Sequence, residues 1–249
     1  MPHISTRGYI IKPVVAVAIY RNDVLVMRPG GVVPRQKPVR GEIMELSDDS
    51  LKRLAFVANN ADVEFQSMMT LTYPNEFPVD GKQVKAHLGH FLVSLKRKNG
   101  RVIYLWFLEF QKRGAPHFHI LLNIGLPEDD RDRALAYTWL SEVWYRIVGS
   151  GDDLHRLAGT RWEDLRDKEG GRHYVVKYCA KTYQKQVPEG YRQVGRFWGC
   201  SRLLTVTPVL IRVADENEIR QSLSEWPYLD HTESFMPRVL YNAARYWQG

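Results

Sequence analysis

Near its middle the chain reads RVIYLWFLEFQKRGAPHFHILLNIG, two apolar runs rich in β-branched and aromatic residues around Lys112-Arg113-Gly114-Ala115-Pro116. Helix periodicity is absent, and a short glycine-containing loop between two such runs predicts a β-hairpin. A hairpin this apolar must be buried inside an antiparallel sheet, so the chain is held to folds built on one. The neighbouring patterns agree. FQSMMTLTYP predicts a strand ended by Pro74, and GKQVKAHLGHFLVSLKRKNG predicts a helix with Val84, Leu88, Phe91, Leu92 and Leu95 on one side, closed at Asn99-Gly100.

The rest of the chain fills out an α+β plan, a central antiparallel sheet with helices packed on it. VVAVAIYRNDVLVMR predicts a first hairpin turning at Arg21-Asn22-Asp23, followed by the basic connection RPGGVVPRQKPVRG. Ser47 caps a helix carrying Asp48 and Asp49 in its first turn and Leu51, Leu54, Ala55 and Ala58 at helical spacing. A long helix over about 128–148 carries Leu135, Trp139, Leu140, Val143 and Trp144, and a second begins near Gly171. VGRFWGCSRLLTVTPVLIRV predicts a strand pair, and a helix over about 215–225 precedes an aromatic tail. The expected division is 1–41 (hairpin and basic loop), 42–210 (the main domain) and 211–249 (a helix and tail packed on it).

Of 249 residues, 35 are Lys or Arg and 28 are Asp or Glu, a net charge of +7 that favours a polyanionic partner. The two cysteines, Cys179 and Cys200, form neither a disulfide framework nor a CxxC zinc pattern, which predicts a reduced, cytoplasmic setting. The run from Val14 to Tyr20 is too short to span a bilayer, so no membrane partner is expected.

The hairpin also carries chemistry. If it turns about Gly114, Glu109 lies opposite His119 and Gln111 opposite His117, and side-chain alternation sends Glu109, His117 and His119 to one face. Two imidazoles and a carboxylate there suit Mg²⁺ or Mn²⁺ with positions left for substrate oxygens, and Gln111 could support or join them. The same residues also fit an edge strand whose histidines bond only to neighbours.

A second stretch, HYVVKYCAK, is Tyr-x-x-Lys written twice in overlap: Tyr174 with Lys177, Tyr178 with Lys181. Tyr174 and Tyr178 are four apart, as are Lys177 and Lys181, and on a helix each of those pairs would share a face, about 5–6 Å between Cβ atoms. A phenol with a pKa of about 10 becomes a nucleophile near neutrality only beside a cation, which lysine or a metal provides. Attack on DNA phosphorus would leave a phosphotyrosine that keeps the phosphodiester energy for rejoining. Amphipathic packing against the sheet explains the same spacing without chemistry.

Taken together, these stretches resemble the HUH endonuclease superfamily, in particular the rolling-circle replication initiators of phages and plasmids. MTLTYP (69–74) resembles the family's first block, PHFHILL (116–122) its His-hydrophobic-His block, and YVVKYCAK (174–181) its nucleophile helix in the two-tyrosine form of phiX-type initiators. GRFWGCSR (195–202) is similar to a block that follows that helix, so the resemblance covers about 42–205. It implies an HUH endonuclease domain over 42–210: a metal-dependent nickase cutting single-stranded DNA at a replication origin. The tyrosine stays on the 5′ phosphate and leaves a 3′-OH to prime synthesis. Metal ligands would be His117, His119 and Glu109, and nucleophiles Tyr178 and Tyr174 with Lys181 and Lys177. Tyr178 ranks slightly ahead because single-tyrosine relatives match YCxK. No Walker-type loop is present, so a host helicase and polymerase are expected partners.

Arg35, Lys37 and Arg40 are candidate DNA-backbone contacts, as are Lys96 and Arg97, although cations at a helix C-terminus also complement its dipole. His87 and His90 read as packing or surface residues, Phe197 and Trp198 as core, and Tyr183 as lying off the tyrosine face. Two other functions fit parts of the pattern. A transposase or mobilisation relaxase would share the chemistry, though relaxases place the tyrosine before the histidines. A non-catalytic module of the RNA-recognition type would share the sheet and leave the histidines without a role.

Overall fold

The computed structural model describes residues 14–27, 41–165, 185–208, 210–215 and 238–241. In chain order the elements are β1 (Val14–Ile19), β2 (Asp23–Met27), α1 (Asp48–Asn60), β3 (Ser67–Thr72), α2 (Gly81–Asn99), β4 (Tyr104–Phe110) and β5 (Pro116–Leu122). They continue with α3 (Asp130–Val148), α4 (Asp153–Ala158), β6 (Thr160–Asp164), β7 (Trp198–Cys200), β8 (Leu210–Asp215) and β9 (Arg238–Tyr241). Two compact units result: one from 1–39, 59–62 and 206–249, the other from 40–58 and 63–205.

The first unit holds a four-stranded sheet in the order β8-β1-β2-β9, antiparallel except for the parallel β2–β9 pair. The expected first hairpin is present, closed by the Tyr20 N–H donating to the Asp23 carbonyl at 2.9 Å. Asp23 is buried at the head of β2, and its Oδ2 accepts from the side-chain amides of Asn59 (2.8 Å) and Asn60 (2.5 Å). Those bonds offset the cost of taking a carboxylate out of water.

In the second unit a fully antiparallel sheet runs β6-β3-β5-β4-β7. The α+β plan read from the sequence is thus the one observed. Leu71, Trp106, Leu108, Phe118 and Ile120 alternate onto one face of the sheet. Helix α2 lies against that face, its Lys85 over the rings of Trp106 and Phe118. Asp80 caps α2 by accepting from the Lys82 N–H, and the five apolar positions expected to face inward are all buried. Helix α3 packs beside it, Phe91 meeting Trp144 edge-on with ring centroids 6.1 Å apart.

On α3 the buried stripe is Ala136, Leu140, Val143 and Trp144, and Leu135, one residue off it, is exposed. The anticipated strand pair after residue 194 is instead two strands in different sheets: β7 pairs with β4 and β8 with β1. Short α4 and edge strand β6 had no counterpart in the sequence reading. The helices expected from about Gly171 and over about 215–225 lie outside the described residues. Among the described residues no helix is long and apolar enough to cross a membrane.

Candidate functional site

The site is assembled by three central strands. The β4–β5 loop is closed by Gln111 N–H donating to the Ala115 carbonyl (2.9 Å) and Gly114 N–H donating to the Gln111 carbonyl (2.8 Å). Gly114 has φ +81°, a left-handed conformation that glycine adopts without steric cost. This is a three-residue loop centred on Arg113, so Glu109 pairs with His117 and Phe107 with His119. The expected pairing, Glu109 with His119 and Gln111 with His117, assumed a turn centred on Gly114 and is two residues out. An even shift preserves the face, and Glu109, His117 and His119 do project to the same side.

Strand β3 lies on the other side of β5, with Thr70 opposite His119 and Thr72 opposite His117. Each threonine meets the histidine beside it: Thr70 Oγ1 is 3.2 Å from His119 Nδ1, and Thr72 Oγ1 is 2.9 Å from His117 Nδ1. The far nitrogen of His119, Nε2, is 3.2 Å from Glu109 Oε2. The two imidazoles stand edge to face with centroids 4.6 Å apart, and Phe107 stacks on His119 at 5.0 Å. Glu109 and His119 are 4% and 2% exposed, so the carboxylate is removed from solvent with its partner beside it. Thr70 and Thr72 were not among the residues singled out from the sequence. Their signal was the alternation in MTLTYP, which puts both on the face of the histidines.

Burial holds both imidazoles far below their usual protonation range. His119 falls to about 3 through desolvation. His117 also falls to about 3, through desolvation first and then the fields of His119 and Arg113. Both rings are therefore neutral near pH 7 and each offers one basic nitrogen. Among the described residues no group of three or more His, Cys, Asp or Glu is gathered in an arrangement that could hold a metal. As it stands, Glu109 touches His119, and His117 approaches His119 ring to ring. The donor chemistry, two neutral imidazoles and one carboxylate with each Nδ1 beside a threonine, suits a divalent ion taken on the Nε2 side.

Around the ligands the backbone is tied down. Arg113 donates to the carbonyls of Tyr73 and Pro74, both at 2.5 Å, and to Gln111 Oε1 at 3.0 Å, fixing the loop against the end of β3. Gln111 Nε2 then lies 3.4 Å from His117 Nδ1. The carbonyl of Thr72 accepts from Trp144 Nε1 (2.8 Å) and His155 Nε2 (2.9 Å), while its N–H donates to the Gly159 carbonyl (2.8 Å).

The other candidates separate. Lys96 and Arg97 end α2, and Lys96 lies over the Tyr104 ring at the opposite end of β4 from Glu109, ~17 Å away at ~3.4 Å per residue. They are not part of this cluster. His87 bonds the Tyr73 hydroxyl (3.0 Å) and Phe197 is buried near Phe110, packing roles as expected, whereas Trp198, expected in the core, is half-buried and donates to Ser50 Oγ (3.0 Å). Tyr174, Lys177, Tyr178, Lys181, Arg35, Lys37 and Arg40 lie outside the described residues.

Residues 66–183, a little under half of the chain, match the model of a family described as replication-associated protein ORF2/G2P. The matched span begins just before β3 and includes Thr70, Thr72, Glu109, both histidines and, in sequence, Tyr174 and Tyr178. The match supports a protein associated with replication. No curated protein and no solved structure matches the chain.

Proposed function

We propose that the chain is a two-tyrosine, HUH-type endonuclease and strand-transferase that initiates rolling-circle replication by nicking single-stranded DNA at an origin. The observation that carries this reading is the shared face of Glu109, His117 and His119 on β4 and β5, within a span similar to replication-associated proteins. Buried, neutral imidazoles beside a carboxylate have the donor chemistry of a metal site. Bound there, Mg²⁺ or Mn²⁺ would polarise the scissile phosphate and offset charge on the departing oxygen.

The chain's own groups do the remainder. Tyr178 or Tyr174 attacks phosphorus through its phenolate oxygen, with Lys181 or Lys177, three residues on in sequence, favouring loss of the phenol proton. The new bond is O(Tyr)–P and the broken one is P–O3′. The DNA therefore keeps a 5′ phosphotyrosine and gains a 3′-OH once the leaving oxygen takes a proton from water. The second tyrosine cleaves a second time in the same way, and the 3′-OH it frees attacks the first phosphotyrosine, forming P–O3′ and releasing the first tyrosine. Glu109 and the two histidines would present the metal-side donors from one face of β4 and β5. A host helicase and polymerase would open and extend the duplex.

Labelled origin-derived single-stranded DNA, incubated with Mn²⁺ or Mg²⁺ and run on denaturing gels, tests this directly. A covalent adduct is expected that EDTA abolishes and that disappears in the Tyr174→Phe/Tyr178→Phe double variant. Loss in one single variant names the nucleophile for first cleavage. An adduct that persists in the double variant, or no adduct under any of these conditions, would sink the reading.

A further inference from the structure

Strand β6 ends the sheet of the second unit, with β3 on one side and no strand among the described residues on the other. The Thr72 N–H donates to the Gly159 carbonyl and the Leu165 N–H to the Gln66 carbonyl, both at 2.8 Å. Backbone groups alternate between the two edges of a strand. Arg161 and Glu163 therefore turn theirs to β3, while Thr160, Trp162 and Asp164 turn theirs outward. Such a row of outward N–H and C=O groups is a template for a further strand. Beside it lies a groove of about 1130 Å³ walled by α3 and α4, where Tyr137 and Leu157 are 41% and 82% exposed.

The charges select the occupant. Arg133 is 3.9 Å from Asp164, Arg156 is 2.5 Å from Glu142, and Arg161 is 2.7 Å from Glu163. Each arginine of the groove is matched by a carboxylate, so it offers a phosphate backbone no row of unbalanced cations. Charges on an edge strand ordinarily discourage pairing. Here they have opposite signs and stand symmetrically about Trp162 in the strand TRWED. If a second β6 runs antiparallel with Trp162 opposite Trp162, Arg161 of each copy meets Glu163 of the other.

The backbone favours the same register. The outward groups of the two Trp162 residues exchange both hydrogen bonds, and the Arg161–Glu163 pairs fall at the positions between, where Cα atoms are about 4.5 Å apart and side chains meet most closely. Moving the centre by one residue sets Arg161 against Arg161 or Glu163 against Glu163. Only one register satisfies both backbone and charge.

We propose that β6 is the interface of a symmetric dimer, in which two copies of the chain pair their β6 edges antiparallel about Trp162 and their sheets become one. A strand edge alone is a small contact, whereas a stable interface buries about 800 Å² on each partner. The exposed Tyr137 and Leu157 supply apolar surface beside the edge. Paired residues point to one side of a sheet, and Arg161 pairs with Thr70, which pairs with His119. The dimer thus turns both copies of the face bearing Glu109, His117 and His119 to the same side.

Association needs neither the metal nor the tyrosines, so its test is separate from that of the nickase. Sedimentation equilibrium of the full chain, at low ionic strength without metal or DNA, is expected to show a monomer–dimer equilibrium. Arg161→Glu and Glu163→Arg each set like charges opposite one another at both symmetric positions. Each should raise the dimer dissociation constant by about 10–100-fold. The two variants mixed, or Arg161→Glu/Glu163→Arg in one chain, bring opposite charges face to face again and should restore the dimer. Melting curves of each variant separate lost pairing from a failure to fold.

A parent chain that stays monomeric up to ~0.1 mM would overturn the proposal. So would a dimer indifferent to both single reversals, or a loss that the exchanged pair does not restore.

Discussion

At the scale of single residues, Lys85 is the least expected feature of the second unit. Its ammonium is buried between α2 and the sheet, 5.0 Å from the Trp106 ring centroid and 5.4 Å from that of Phe118, with no hydrogen-bond partner among the described residues. The rings favour the cation by about 0.5–2 kcal/mol, yet desolvation outweighs them and pulls the pKa from 10.5 to about 7. The folded chain binds fewer protons than the unfolded chain between those values, so stability rises with pH from about 7 toward 10.5 and the full penalty applies below 7. Lys85→Met should therefore raise the melting temperature most at pH 6, by roughly 1–3 kcal/mol in stability, and the gain should fade as pH approaches 10. A pH-independent gain would mean the amine is solvated and the effect lies in packing.

At the scale of elements, the β4–β5 hairpin sets where the site's three donors stand. Its register depends on Gly114 keeping φ at +81°, and a Cβ there would meet Pro188 only at 3.4 Å, so a side chain costs backbone strain rather than space. Gly114→Ala should destabilise the chain by about 1–2 kcal/mol, and Gly114→Asn by less, because asparagine tolerates left-handed backbone. Urea midpoints give the comparison, and equal midpoints for Ala and Gly would contradict the loop geometry. The hairpin itself was legible in the sequence, because two apolar runs around a glycine-containing loop fit little else. Its register was not, since KRG and RGA offer turn centres one residue apart and each step of the centre moves the pairing by two. Glu109, His117 and His119 reached the right face because that error is even. Other elements were hidden for plain reasons. TRWED in β6 is polar at an edge and shows no alternation, α4 is a single short turn, and a continuous apolar run after residue 202 conceals that β7 and β8 belong to separate sheets. Thr70 and Thr72 went unnoticed because a hydroxyl gains its role only once a partner strand places an imidazole opposite.

At the scale of the whole chain, the net charge of +7 bears on the proposed substrate. Single-stranded DNA releases about 0.7 counterion for each phosphate neutralised, so a site using about five cations should lose roughly 100-fold in affinity between 50 and 200 mM salt. Fluorescence anisotropy with a labelled oligonucleotide measures the slope, and a flat response would argue against phosphate contacts as the basis of binding. The first sheet has a different kind of consequence. Strand β2 pairs with β9, and β1 with β8, across everything between them in the chain. On a ribosome making about 5–20 residues per second, β1 and β2 leave the exit tunnel on the order of 10–40 s before β9 exists. The second unit is complete by residue 205 and can form during that wait. The β1–β2 hairpin cannot complete its sheet until then and leaves strand edges bare, so a chaperone that shields unpaired edges would matter more to the yield of this protein than its final stability would suggest.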